Sequence, residues 1–298
     1  MNTLVQAAAR PAFARARTVL GVFKLRIGVL IMISALAGLA CARGALPQAW
    51  QVAVLALAVL VAAATAGAFN QYVEADADRL MARTRRRAFV TGELSRDWRW
   101  PAAIGLLLAA SVAAAWWATN AVAALFVLLG ALTYGVVYTL WLKRRTWLNI
   151  VVGGLSGSFA VLAGAAAVDP ALGALPWSLA LVLFLWTPPH FWSLSIACRD
   201  DYAAAGVPML PVVVGTERAA RIVHASAIAL VASTLLLPLF GAGLVVLAGA
   251  WIGGAHFLRK TLALMRQPSR QTAMGAFFAS MVQLSVLFAS VALDAALR

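Results

Sequence analysis

The amino-acid sequence predicts an all-α fold, a polytopic integral membrane bundle of about nine transmembrane helices. Three observations carry that expectation. Hydrophobic residues make up 63% of the 298-residue chain and charged residues only 11%, whereas a soluble domain runs near half apolar and a quarter charged. The apolar residues fall in runs of about 17–23, the length a helix needs to cross a hydrocarbon core of roughly 30 Å. Basic residues also collect on one side of those runs. A lipid-facing barrel is excluded, because the runs are continuously apolar and a barrel strand alternates.

Taken in order, the predicted spans are 25–42, 50–72, 101–118, 121–141, 148–168, 176–197, 222–239, 242–258 and 274–294. The first is not a cleaved secretory leader. It follows a basic lead, 1–24, and eight further spans come after it. Arg10, Arg15, Arg17, Lys24 and Arg26 surround its start, and Arg79, Arg83, Arg85, Arg86, Arg87, Arg96 and Arg99 follow the second span. Further basic residues follow the fourth, sixth and eighth spans, so 22 of the 24 share one side and only Arg43 and Arg298 fall on the other. That side is the cytoplasm or its topological equivalent, which puts the N-terminus there and points to an inner membrane.

The whole of 1–298 reads as a single membrane domain, with 73–100 and 198–221 as cytoplasmic loops that carry the active site. The net charge of +14 is then topological signal and attraction to the lipid bilayer's anionic headgroups, and no nucleic-acid partner is implied. Cys41 and Cys198, the only two cysteines, offer neither metal spacing nor a disulfide framework.

Acidic residues are the scarce ones. Of ten, eight lie on the basic side, in clusters that begin at the ends of the second and sixth spans. Asn70, Glu74 and Asp78 are spaced i, i+4, i+8, which keeps them on one helix face with a drift of ~40° per step. Polar groups that begin at such depth mark a site by default, and two carboxylates with an amide suit Mg²⁺, which keeps waters and bridges to phosphate oxygens. The plainer reading is a helix end whose acids pair with Arg83 or Arg85. The stretch Met81-Ala82-Arg83-Thr84-Arg85-Arg86-Arg87 sharpens the first reading, since acids for a metal beside arginines for phosphate oxygens are what a diphosphate site needs. In the second cluster, Arg199-Asp200-Asp201-Tyr202, tandem acids cannot share a helix face: one of Asp200 and Asp201 binds metal, and the other caps or pairs.

The motif Asn70-x3-Glu74-x3-Asp78 with Met81-x-Arg83-Thr84-x2-Arg87 resembles that of the intramembrane prenyltransferase superfamily. Two further blocks resemble the protohaem IX farnesyltransferase (haem O synthase) family within it. One is Tyr138-Thr139-x3-Lys143-Arg144-x-Thr146-x2-Asn149. The other is Trp186-Thr187-Pro188-Pro189-His190-Phe191-Trp192, which runs on to Asp200-Asp201-Tyr202-x3-Gly206-Val207-Pro208-Met209-Leu210-Pro211. Two departures from the family pattern stand out: Ala88 in place of a proline, and Ser158–Leu162 in place of a stretch with a Pro-Pro pair.

The resemblance implies an Mg²⁺-dependent enzyme that moves a farnesyl group from farnesyl diphosphate to a vinyl group of haem B, with addition of water. It further implies that Glu74, Asp78 and Asp200 or Asp201 hold Mg²⁺. Arg83, Arg87, Lys143 and Arg144 share the phosphate oxygens, and Tyr138 and Asn149 belong to the substrate site. His190 sits behind a Pro-Pro pair read as a helix break; it either ligates the haem iron or bonds a freed carbonyl. Haem A synthase and the terminal oxidase are the implied partners. The competing readings are prenylation of an aromatic quinone precursor and, from another class, a membrane transporter. The transporter fits poorly, because the acids cluster at one surface rather than at the midplane.

Overall fold

A computed structural model describes residues 12–297, with side chains from 16 onward. Arg10 and Arg298, two of the residues read as topological signals, lie outside the described residues. Helix α1 (Ala12–Val22) meets α2 (Leu25–Cys41) at a bend of 49°. There follow α3 (Ala49–Val73), α4 (Ala75–Leu80), α5 (Ala88–Thr91), α6 (Arg99–Ala118) and α7 (Ala121–Leu132), the last continued by a π-helical stretch, Thr133–Leu142. Next come α8 (Asn149–Gly153), α9 (Leu155–Ala166), α10 (Ala174–Ala197), α11 (Arg199–Ala204), α12 (Leu210–Val214) and α13 (Thr216–Leu235). A 3₁₀ turn (Leu237–Phe240), α14 (Leu244–Arg266) and α15 (Arg270–Ala296) complete the chain. No strand occurs among the described residues.

The helical membrane bundle is as expected, but the count of nine spans is not reached. Among the described residues six helices are long and apolar enough to cross a membrane, and seven if the bent α1–α2 pair is one span. Helices α13 and α14 overlap most of the predicted spans 222–239 and 242–258, but they extend into charged ends that carry Glu217, Arg218 and Arg221, and Arg259, Lys260 and Arg266.

Lipid gives little hydrophobic drive between helices, so close packing of small residues must hold them. A methyl group added at Gly38 of α2 would fall on the Val161 carbonyl of α9, and one at Gly164 of α9 would fall on the Ala35 carbonyl of α2. The two backbones therefore touch. Around this crossing sits a core that includes Val161, Leu162, Leu179, Leu183, Leu230, Phe257 and Leu287. At the bundle end away from the basic loops, exposed Trp50 and Trp117 lie 5.2 Å apart, where amphipathic rings meet headgroups.

Helix α10 runs unbroken through Pro188 and Pro189, which corrects the expectation of a break at that pair. Prolines remove amide donors, here those that would reach the Phe184 and Leu185 carbonyls, and packing against neighbouring helices can hold such a helix together. Thr187 Oγ1 donates to the Leu183 carbonyl (3.0 Å) and Ser193 Oγ to that of Pro189 (2.6 Å). In α9, Ser158 Oγ donates to the Ala180 carbonyl of α10 at 2.7 Å, so the segment that departs from the family pattern is stitched to its neighbour.

Gly38→Ala and Gly164→Ala are each expected to destabilise the bundle by roughly 1–3 kcal/mol, the range for overpacking. Gly105→Ala, which has open space around it, is expected to be neutral or mildly stabilising. Thermal unfolding in detergent checks all three.

Candidate active site

Glu74 closes α3 and opens α4 with φ −90° and ψ 5°. The backbone bonds Glu74 N–H to Asn70 O (3.0 Å) and Asp78 N–H to Glu74 O (2.8 Å) carry the helix through this joint. Asn70, Glu74 and Asp78 thus stay on one face, and all three are buried. Asn70 Nδ2 donates to Glu74 Oε2 (2.7 Å) and to Thr139 Oγ1 (3.2 Å), while its Oδ1 accepts from Lys24 Nζ at 2.7 Å. Lys143 Nζ lies 2.5 Å from Glu74 Oε2, with both side chains at most 10% exposed. Arg87 lies 2.5 Å from Asp78 Oδ2. The acids pair with Lys143 and Arg87, and not with the Arg83 or Arg85 of the plainer reading.

Two backbone departures make these meetings possible. The π-helical stretch carries the wide Lys143 N–H to Tyr138 O bond (2.9 Å) and Thr139 Oγ1 bonds the Tyr134 carbonyl (2.8 Å). Tyr134 and Tyr138 stack at 5.6 Å and 10°. π-Segments are rare and favour functional sites. Lys24, in turn, takes a left-handed conformation, φ 48°, at the bend between α1 and α2, which aims its side chain inward. A non-glycine residue there is uncommon and costs energy. Lys24 was readable only as a topological charge; what distinguishes it is its place directly before the first apolar run.

The arginine segment folds over the acids. Thr84 Oγ1 donates to the Asp78 carbonyl at 3.0 Å. Arg83 lies 5.6 Å over the Tyr202 ring and reaches its hydroxyl at 3.4 Å. Burial pushes the Tyr202 phenol above its usual range, with Arg83 opposing, so the hydroxyl keeps its proton and can donate. Asp201 Oδ1 accepts the Ala82 N–H at 3.1 Å and ties the second cluster to the first. Asp200 points to solvent, 3.8 Å from Arg199. Neither Asp200 nor Asp201 lines the cavity described below, nor do Arg144 and Asn149. Arg144 is exposed, and Asn149 is buried, its Nδ2 capping the carbonyls of Lys143 (3.3 Å) and Thr146 (2.6 Å).

Asn70, Glu74, Asp78, Arg83, Arg87, Tyr138, Lys143 and His190 do converge, on one cavity of about 1490 Å³. Its polar end carries these acids and cations with Lys24; the remainder is walled by α2, α7, α9, α10 and α15 and is largely apolar. Ile27, Leu30 and Ile33 of α2 line it while 38–53% exposed, so it opens sideways through the lipid-facing flank of the bundle. His190 borders the cavity, with its ring stacked on Trp186 (4.1 Å) and Phe277 (4.6 Å).

Among the described residues no group of three or more His, Cys, Asp or Glu could hold a metal ion. Of the predicted metal donors the cavity holds Glu74, Asp78 and Asn70, and Glu93 and Gln71 line it as well. One observation fits a cation there: Asp78 Oδ1 is buried with no hydrogen-bond partner, an arrangement that is costly unless a ligand completes it.

Fold and site together define a membrane prenyltransferase. The chain belongs to the UbiA prenyltransferase family, whose model matches residues 31–284. Its sequence is 55% identical, over 94% of this chain and 98% of the relative, to "Protoheme IX farnesyltransferase 2" of Paramagnetospirillum magneticum. Digeranylgeranylglyceryl phosphate synthase shares the fold at TM-score 0.77 and 15% identity, over 95% of this chain and 99% of that one. A UbiA homologue from Archaeoglobus fulgidus, bound to DMAPP and Mg²⁺, matches at TM-score 0.67 and 16% identity, over 89% and 98%.

Lys143→Met leaves Glu74 buried without its ion pair and is expected to destabilise the protein by about 3–5 kcal/mol. Adding Glu74→Gln should restore most of that loss. Unfolding of the two single variants and the double variant in detergent measures the coupling.

Proposed function

We propose that this chain transfers the farnesyl group of farnesyl diphosphate to a vinyl group of haem B, with addition of water, and releases haem O and diphosphate. The observation that carries the reading is a single cavity that joins Glu74, Asp78 and the cations Lys24, Arg83, Arg87 and Lys143 at one end to an apolar, laterally open groove at the other. The relative at 55% identity supplies the acceptor.

Mg²⁺ would be held by Glu74 and Asp78 with Asn70, and when bound it supplies neutralisation of the leaving diphosphate. Lys24, Lys143, Arg83 and Arg87 bind the phosphate oxygens and disperse the charge that develops as the allylic C1–O bond breaks. The vinyl π electrons then form the new C–C bond at C1. Water adds to the carbon next to the macrocycle and loses a proton. Tyr138 braces Lys143, 5.7 Å above its ring. Asp201, through the Ala82 N–H, holds the arginine segment over the site, and Asn149 fixes the turn that presents Lys143. Asp200 and Arg144, exposed outside the cavity on the basic side, attract the diphosphate or its metal on entry. The farnesyl tail occupies the apolar groove, entering from lipid with little change of solvent, so discrimination rests on groove shape and on the diphosphate end.

At the acceptor end, His190 Nε2 ligates the haem iron and Trp186 packs beside it. We place the protein in an inner membrane with its N-terminus in the cytoplasm, because the basic residues crowd that side. The product passes to haem A synthase and on to the terminal oxidase.

Protein in nanodiscs with protohaem, farnesyl diphosphate and Mg²⁺ should yield haem heavier by one farnesyl group plus water. Asp78→Asn should slow this by ~100-fold or more, chelation should abolish it, and Arg144→Ala should change it only a few-fold. Unmodified haem together with prenylation of an aromatic quinone precursor would replace the acceptor in this reading.

A further inference from the structure

One hydroxyl on α15 decides which nitrogen of His190 carries the proton. Ser280 Oγ lies 2.7 Å from His190 Nδ1 and 2.6 Å from the Phe277 carbonyl of its own helix. A serine hydroxyl has one hydrogen and two lone pairs. The carbonyl can only accept, so a contact of that length requires the hydroxyl hydrogen to lie on it. Ser280 Oγ must therefore accept at its other contact, and His190 Nδ1 must be the donor. A neutral imidazole with hydrogen on Nδ1 carries its lone pair on Nε2.

The surroundings leave that lone pair one direction. Trp186 and Phe277 stack on the ring at interplanar angles of 19° and 28°. Trp186 is itself pinned, its Nε1–H donating to the Ser280 carbonyl at 2.9 Å. Nε2 takes no hydrogen bond from the described residues and is not among the enclosed unpartnered atoms, while His190 lines the cavity. Ser280 thus holds, through its two oxygens, both Trp186 and the residue one turn further along α10.

We infer that Ser280 is a positioning residue for the acceptor: it fixes the His190 tautomer that presents Nε2 to the haem iron, and its hydrogen bond raises the electron-donating power of that nitrogen. This rests on the proposed haem acceptor and on His190 as its ligand. Outer partners of a ligating histidine act in this way, and their loss costs about 10–100-fold in metal affinity.

The test uses full-length protein in nanodiscs titrated with ferric protohaem, then reduced, with the iron–histidine stretching band read by resonance Raman. Ser280→Ala should weaken haem binding about 10-fold or more and move the band to lower frequency, with thermal unfolding unchanged. Ser280→Thr, which keeps the hydroxyl, should restore both. Ser280→Cys, whose sulfur is a weak acceptor, should fall between and serves if the alanine variant folds poorly. His190→Ala separates the two layers. If it abolishes the band while Ser280→Ala matches the unaltered protein in band and affinity, the role of Ser280 is overturned and His190 remains the ligand. If it leaves the band in place, another residue holds the iron and this inference falls, whatever the farnesyl-transfer assay gives.

Discussion

The bundle is organised around a buried ionic chain at one end: Lys24 on Asn70, Asn70 on Glu74, Glu74 on Lys143, with Asp78 and Arg87 beside it. Charges taken out of water are expensive, and a buried pair is tolerated only when its geometry and its remaining hydrogen bonds are nearly complete. Its members come from four separate places, namely the α1–α2 bend, the α3–α4 joint, the end of the π-stretch and the arginine segment. The chain can be satisfied only if all four arrive together. The cluster that would hold a substrate is therefore also a checkpoint on correct assembly of the helices.

The unusual backbone features lie where this demand is greatest. Lys24 accepts a left-handed conformation, the helix after Leu132 widens, and the α3–α4 joint bends at Glu74. Sites of this sort store strain that the surrounding structure must over-determine. The surroundings here are stiff: α2 and α9 touch backbone to backbone at two glycines, and α10, unbroken through its proline pair, offers a continuous wall for the acceptor side.

Much of this was legible in the residues alone. Apolar runs of membrane-spanning length announce helices, and the i, i+4, i+8 spacing of Asn70, Glu74 and Asp78 announces a shared face, because both follow from helix geometry. What lay beyond reach depended on backbone states or distant contacts. Thr133–Leu142 has the composition of any apolar helix, so nothing marks its π-geometry. Lys24 looks like any flanking cation until its φ is known. Prolines 188 and 189 suggest a break, since each removes an amide donor and the neighbouring helices that keep α10 continuous surround it only in the folded bundle. Asp201 binds an amide of the other loop, a contact between positions 119 residues apart, which separates it from Asp200 in a way no local pattern could.

The sideways opening along Ile27, Leu30 and Ile33 changes what concentration means for this enzyme. A substrate that arrives through the flank of α2 is drawn from a two-dimensional reservoir, so encounter frequency follows its mole fraction among lipids and not its amount per litre of suspension. Diluting the membrane with inert lipid would then starve the protein, while diluting the buffer would not.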